Sequence, residues 1–345
     1  MSIFLKGQPP LESKKGNSDL PLPVRHTLDN PADYITETGL TDAVDMAIIL
    51  GQPLLLTGEA GTGKTLLAYV VGNELGLETY KFETKSTSAA RDLFYLYDTV
   101  GRFQAKQTGN EGINPVDYLT YNALGKAILQ TLKKDEVNDW LPQARKEEAR
   151  SDQFTRDSRR EADWQRRSIV LIDEIDKAPR DFPNDILNEI ENMYFKIPEL
   201  GNKSFVAAAA LRPLVFITSN SEKHLPDAFL RRCIFYNIDF PKADIMKKII
   251  ERRVGRYVTD SKTFLNKAVG LFYELREPKA GLQKKPATAE LLGWIIALKE
   301  MNKDQADPLS RVNEEKILSS LSVLIKNTED IAQAKKAVVQ WLRKN

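Results

Sequence analysis

One cysteine and two histidines are all that 345 residues offer for disulfide, zinc or imidazole chemistry. Cys233 has no second cysteine to pair with, which excludes an internal disulfide or a cysteine-based zinc framework. Beside Ile234-Phe235-Tyr236 it reads as a core residue rather than a nucleophile. His26 and His224 alone speak against histidine metal sites and histidine triads. No apolar stretch approaches the roughly 20 residues that cross a bilayer. The opening Met1-Ser2-Ile3-Phe4-Leu5-Lys6-Gly7 has too short an apolar run for a signal peptide. A cytoplasmic protein with no membrane association is therefore expected. A net charge of +2 pushes the chain toward neither nucleic acid nor a membrane surface. No internal repeat is visible. Hydrophobic content of 42% and charged content of 28% are ordinary for a soluble globular protein, and the length suggests two or three structural units.

Against these absences stands Gly58-Glu59-Ala60-Gly61-Thr62-Gly63-Lys64-Thr65. It fits G-x-x-x-x-G-K-[ST], the phosphate-binding P-loop. Pro53–Thr57 before it reads as a buried strand, and the run from Leu66 to Val71 as the start of a helix, which is the context the motif needs. Glycines let backbone N–H groups approach phosphate oxygens with no Cβ in the way, and the helix start favours negative charge. The residues from Gly58 to Thr65, with Leu66 following, are the expected ATP cradle. Lys64 is expected to reach the β- and γ-phosphates, and the Thr65 hydroxyl to ligate Mg²⁺. About a hundred residues on, Ser168-Ile169-Val170-Leu171-Ile172-Asp173-Glu174 is an apolar strand ending in two carboxylates. Asp173 is placed to hold the Mg²⁺ shell. Glu174 points elsewhere and can serve as general base toward an attacking water.

Along the chain, residues 1–30 are proline-rich and read as an extended arm. A helix over Thr41–Leu50 closes at Gly51. Strands are expected at Pro53–Thr57, Thr79–Phe82, Ile169–Asp173, Leu214–Thr218 and Ile234–Ile238, mostly separated by helices, which means a parallel α/β sheet. An insertion of about residues 84–167 interrupts it. Its first half is rich in aromatics, including Tyr95, Tyr97, Phe103, Tyr118 and Tyr121, and its second half, Lys133–Arg167, reads foremost as a solvated helix laced with exposed ion pairs, with an arm or partner surface as the alternative. Replacing Lys133–Asp163 with a short linker is expected to leave folding intact. Asp181–Met193 reads as one helix, with Asp181 as a cap and Ile186, Leu187, Ile190 and Met193 on its apolar face. Tyr194–Val206 alternates around Gly201-Asn202, a hairpin signal. Asn220, at the end of the fourth strand, is the expected water-orienting side chain, with Thr218 and Ser219 as alternatives. Leu225–Cys233 reads as a helix ending in Arg231-Arg232, which in a ring could insert into a neighbour's ATP site. Beyond Pro241 only helical patterns recur, giving domains of 31–240 (α/β ATPase) and 241–345 (helical).

Taken together, these stretches resemble the MoxR family of AAA+ ATPases. The resemblance is carried by Gly58–Thr65, by Ile169–Glu174 with Ile175-Asp176-Lys177-Ala178, by Phe216–Asn220 and by Leu225–Cys233. Tyr194–Val206 is similar to the family's pre-sensor hairpin, and the material after Thr84 to its insertion in the second helix. The resemblance covers about residues 31–300. It implies a P-loop sheet of strand order 5-1-4-3-2 with helices on both faces, an all-α lid, and ATP with Mg²⁺ as ligands. It also implies a ring homo-oligomer, usually a hexamer, and chaperone-like action on partners with von Willebrand factor A domains. By it Asn220 matches sensor 1, and Arg232 the arginine finger, with Arg231 one register away. The family's Ser-Pro-Arg sensor 2 is replaced by Lys284-Lys285-Pro286, and the charged segment and proline-rich arm have no counterpart.

Two other functions fit part of the pattern. A nucleic-acid motor or loader would also carry Arg-Arg-Cys after a helix, but the near-neutral charge and lack of an uninterrupted basic stripe oppose it. A slow nucleotide-controlled switch in a signalling or defence assembly is opposed by Glu174 only insofar as it requires a dead site.

Overall fold

The computed structural model describes residues 30–108, 114–142, 164–221, 225–258, 261–302 and 305–344. The proline-rich arm up to residue 29, both histidines and residues 143–163 of the charged segment lie outside them. By their contacts the described residues form two compact units, one spanning Thr36–Asp239 and one built from Phe240 onward together with residues 30–35.

In the first unit, α1 (Thr38–Leu50) buries Leu40, Ala43, Val44 and Ala47 on one face and stops at Gly51. Gly51 takes the left-handed conformation (φ 62°) that lets its N–H close on Ala47 O. Next come β1 (Leu54–Thr57), α2 (Lys64–Leu75) and β2 (Thr79–Glu83). The insertion then contributes β3 (Tyr95–Tyr97), α3 (Thr99–Gln107), β4 (Leu119–Tyr121) and α4 (Ala123–Leu129). It is followed by β5 (Ile169–Asp173), the hairpin of β6 (Tyr194–Ile197) and β7 (Lys203–Val206), then β8 (Leu214–Thr218) and β9 (Ile234–Asn237). Five of these form one parallel sheet in the order β2-β5-β8-β1-β9. Counting only those five, this is the 5-1-4-3-2 order that the resemblance implies. Every residue of the three central strands is buried, as both faces of a parallel sheet require. The edge strands alternate: β2 buries Tyr80 and Phe82 and turns Lys81 and Glu83 outward.

The aromatic first half of the insertion is core. Strands β3 and β4 pair antiparallel. Phe94 stacks on Phe195 of the hairpin at 5.5 Å between centroids, and Phe195 lies 5.4 Å from Phe205. Helix α4 sits so close that a Cβ on Gly125 would come within 2.1 Å of Phe94 O. Phe103 is the exception, 60% exposed on α3.

Three expectations are corrected here. The charged segment is not uniformly solvated: Val137 and Leu141 are buried, Tyr121 donates its hydroxyl to Trp140 O, and Trp164 is buried with its indole N–H on Leu132 O. A deletion from Lys133 would therefore remove core. Apolar residues among the charges hold both described ends of the segment to the sheet, and Arg166 pairs with Glu78. Nor is Asp181–Met193 a single helix. It is two short ones, Phe182–Asp185 and Leu187–Asn192, that bury Phe182, Ile186 and Ile190. Asp181 has helical rather than extended backbone (φ −82°, ψ −21°), so its carboxylate makes no cap. The segment bearing Arg231 is likewise a single turn, Asp227–Leu230, with Arg231 as its C-cap.

The second unit is helical: α5 (Ala243–Val254), α6 (Lys262–Arg276), α7 (Thr288–Met301), α8 (Glu314–Leu324) and α9 (Thr328–Lys344). Trp294 is fully buried, its indole N–H on Ser320 Oγ at 2.8 Å. The loop with Lys284 and Lys285 is pinned by Asp330, which is buried and accepts the N–H groups of Gln283 and Lys284 at 2.8 and 2.9 Å.

The aromatic cluster yields a stability prediction. Phe195→Ala removes the ring that joins insertion and hairpin and should cost about 3–5 kcal/mol, as for other buried aromatic truncations. Phe103→Ala should change stability by less than about 0.5 kcal/mol. Urea midpoints of the two variants check this; equal midpoints would mean that the cluster does not hold the insertion in place.

Candidate active site

The carboxyl ends of β1, β5 and β8 lie side by side, and each of these buried strands ends on a polar residue: Thr57, Asp173 and Thr218. The loop after β1 runs through three glycines at positive φ, namely Gly58 (138°), Gly61 (81°) and Gly63 (90°). At Gly58 a Cβ would fall 2.3 Å from Ile238 O, so no other residue fits. The Thr62 hydroxyl donates to Glu59 O at 3.0 Å. Lys64 opens α2 and folds back over the loop, its Nζ donating to Gly58 O at 2.8 Å and Glu59 O at 2.9 Å. Burial pushes the Lys64 ammonium below its ordinary pKa, against the pull of Asp176, Asp173, Glu174 and Glu59.

Thr65 and Asp173, 108 positions apart in sequence, meet directly: Thr65 Oγ1 donates to Asp173 Oδ1 at 2.7 Å. Thr218 Oγ1 donates to the same oxygen at 2.7 Å and accepts the Glu174 N–H at 2.8 Å. Lys81 Nζ lies 2.9 Å from Asp173 Oδ2. On β2's extension, the Thr84 N–H donates to Asp173 O at 3.1 Å. Burial alone would raise the Asp173 pKa, but hydrogen bonds from Lys81, Thr218 and Thr65 outweigh it and hold the carboxyl below its ordinary range.

Glu174 turns away from Asp173 because its own backbone is left-handed (φ 56°). For a residue with a Cβ this conformation is strained, and the bond from its N–H to Thr218 holds it. Its carboxylate is ion-paired with Lys177, three residues on. Asn220 is exposed and enters the network only through its backbone N–H, which donates to Asp176 Oδ1 at 3.1 Å. Ser219 is buried and turned onto Ser221 O.

Thus Lys64, Thr65, Asp173, Glu174 and Thr218 stand together, and Arg231 and Arg232 do not join them. Arg232 Nε donates to Glu191 Oε2 at 3.0 Å and its Nη1 to Ala228 O, while Arg231 is exposed. Cys233 packs against the core, and burial pushes its thiol up to about 12, far from a nucleophile's range.

Lys81, Thr84 and Lys177 were missed from the sequence. For Lys81 a signal existed. The alternation of β2 puts Lys81 and Glu83 on one face, and the strand order makes β2 the neighbour of β5, with Glu83 level with Asp173.

Among the described residues no helix is long and apolar enough to cross a membrane. No curated protein matches the chain. Solved structures that align with it include two of RuvB from Thermotoga maritima. A Thr→Val variant is 14% identical and the alignment covers 88% of this chain and 75% of that one, with a TM-score of 0.47. The RuvB Holliday junction branch migration motor is 14% identical, with 89% and 70% covered and a TM-score of 0.44. The model of the AAA family, the ATPase family associated with various cellular activities, matches residues 54–241. That span runs from the first residue of β1 past the end of β9 and takes in the whole site described above, and the chain belongs to this family.

Proposed function

We propose that the protein is an ATP-hydrolysing remodelling ATPase of the MoxR type. The observation that carries the chemistry is the Thr65–Asp173 hydrogen bond, which joins the P-loop helix to the acidic strand end beside Glu174. The residues fit a magnesium nucleotide. Thr65 gives its proton to Asp173, so the lone pairs of Oγ1 stay available to a metal, and Asp173 is held in its charged form. Bound Mg²⁺ would neutralise phosphate charge and polarise the phosphoryl oxygens. The glycine backbone from Gly58 to Gly63 cradles the phosphates, and Lys64 exchanges its two carbonyl partners for the terminal phosphate oxygens. Glu174 leaves Lys177 and takes the proton of a water that attacks the γ-phosphorus in line, giving ADP and phosphate. Asn220 orients that water, while Thr218 supports Asp173 and the Glu174 backbone.

Arg232, and not the P-loop's own subunit, completes the charge compensation. It leaves Glu191 to enter a neighbour's site, which makes the working form a ring homo-oligomer, by resemblance a hexamer. Chaperone-like action on a cytoplasmic partner with a von Willebrand factor A domain rests on the MoxR resemblance of the motifs.

Two outcomes are expected from the nucleotide site. Lys64→Ala should abolish ATP binding in titration calorimetry, and unchanged affinity would remove the P-loop from the site. Glu174→Gln should bind Mg·ATP normally and hydrolyse it at least about a hundredfold more slowly, within the range of general-base loss. Near-normal turnover would assign water activation elsewhere.

The subunit boundary has its own test. Arg232→Ala should keep ATP binding and lose turnover by about 10³-fold or more, the scale of an arginine supplied in trans. Mixing it with Lys64→Ala subunits should restore activity at sites that pair an intact P-loop with an intact Arg232. No recovery on mixing, with Arg231→Ala as the damaging change, would move the finger by one residue.

A further inference from the structure

Asp173 is 5% exposed, and both of its carboxylate oxygens are engaged. Oδ1 takes the hydroxyls of Thr65 and Thr218, and Oδ2 takes the ammonium of Lys81 at 2.9 Å. Neither the P-loop motif nor the acidic strand motif contains Lys81. It comes from β2, whose alternation turns it away from the buried Tyr80 and Phe82. Its side chain is about one-third exposed (34%) against 7% for Asp173. One partner is therefore fixed, and the other is a long flexible chain that can leave.

We propose that Lys81 is a resident counter-cation of Asp173 that competes with Mg²⁺ and thereby sets the metal concentration at which the site loads. The inference rests on the assignment of Thr65 and Asp173 to the metal given above. A nearly buried carboxylate is costly to leave uncompensated. Thr65 and Thr218 supply hydrogen bonds but no charge, so Lys81 neutralises the group whenever no divalent ion is bound. A divalent ion at Thr65 and Asp173 meets a positive charge already placed on the second oxygen, and two cations on one carboxylate repel. Lys81 has somewhere to go: Glu83 lies two residues on along the same face of β2 and already attracts it. The exchange of Lys81 from Asp173 toward Glu83 is the step that admits the metal. Lys81 is thus a positioning residue, acting on the metal through Asp173.

The test counts bound Mn²⁺ by the loss of the free-ion electron paramagnetic resonance signal, with the full chain saturated with ADP. ADP affinity in EDTA is measured first by calorimetry. Lys81→Met should leave the EDTA affinity unchanged and lower the half-saturating free Mn²⁺ by about tenfold, the effect of one neighbouring charge on a carboxylate. Lys81→Arg, which keeps the charge, should titrate like the parent. Should Lys81→Met fail to fold, Lys81→Gln retains a hydrogen-bond donor without the charge and should show the same direction. A half-saturating Mn²⁺ that is unchanged or higher in the neutral variants overturns the competition. A parent protein that binds no ADP in EDTA or with Mn²⁺ overturns instead the nucleotide site itself, and the two failures are told apart by that first measurement.

Discussion

Two hydroxyls meet on one buried oxygen of Asp173: that of Thr65, from the helix leaving the P-loop, and that of Thr218, from the strand beside β5. The rest of the site depends on this meeting. It occurs because a parallel sheet brings the carboxyl ends of its strands to one edge. Buried strands of four or five residues, apolar up to their last position, bring β1, β5 and β8 to that edge in register. Each run then changes to a polar residue at its last position. The apolar residues fix where the strands lie, and the terminal Thr, Asp and Thr fix what chemistry the edge carries. Thr218 serves twice, since the oxygen that donates to Asp173 also accepts the Glu174 N–H and holds that residue in its left-handed turn. Two adjacent carboxylates are in this way sent in different directions by one hydroxyl.

The insertion and the hairpin lie outside this edge, yet they are not appendages. Phe195 and Phe205 on the hairpin face Phe94 and Tyr95 of the insertion in one aromatic cluster. Glu199, past the end of β6, accepts the Tyr95 hydroxyl at 2.8 Å and pairs with Arg91 at 3.2 Å. The hairpin leads by a short connection into β8, and the insertion lies between β2 and β5. Both therefore connect to strands that shape the Asp173 environment. A load applied to either would be borne by packed aromatic rings rather than by a loose linker, because such cores resist gradual deformation.

The sheet was legible from sequence because its central strands are apolar runs bounded by proline, serine, glycine and acidic residues. Pro53–Thr57 and Leu214–Thr218 admit little else. The single-helix reading of Asp181–Met193 failed because apolar spacing alone does not report a break at Ile186; the fully buried Ile186 and the stacking of Phe182 on Phe82 override it. The charged segment misled in the opposite way. Its composition is dominated by residues around Val137, Leu141 and Trp164, and those three decide the packing. At the site, the motif residues that stand together, Lys64, Thr65, Asp173 and Glu174, were singled out from sequence, whereas Lys81 and Lys177 enter through the residues they pair with. Lys177 belongs to the same short turn as Glu174. Lys81 became readable only once the strand order set β2 beside β5.

A common pattern connects the three lysines of this site and the distant Arg232. Lys64 is satisfied by the carbonyls of its own loop, Lys81 by Asp173, Lys177 by Glu174 and Arg232 by Glu191. None of the four stands ready on an uncompensated charge. Under the proposed function, a nucleotide that engages Lys64 must outbid two hydrogen bonds at a buried ammonium, and Glu174, as the proposed base, must first be released from a largely exposed ion pair. The two exchanges differ in cost. The Lys64 partners are partly buried loop carbonyls, which also lose their donor when the lysine leaves. The Glu174–Lys177 pair is largely solvated and contributes little to stability. In the proposed reaction, engaging Lys64 is therefore the costlier exchange and freeing Glu174 the cheaper one.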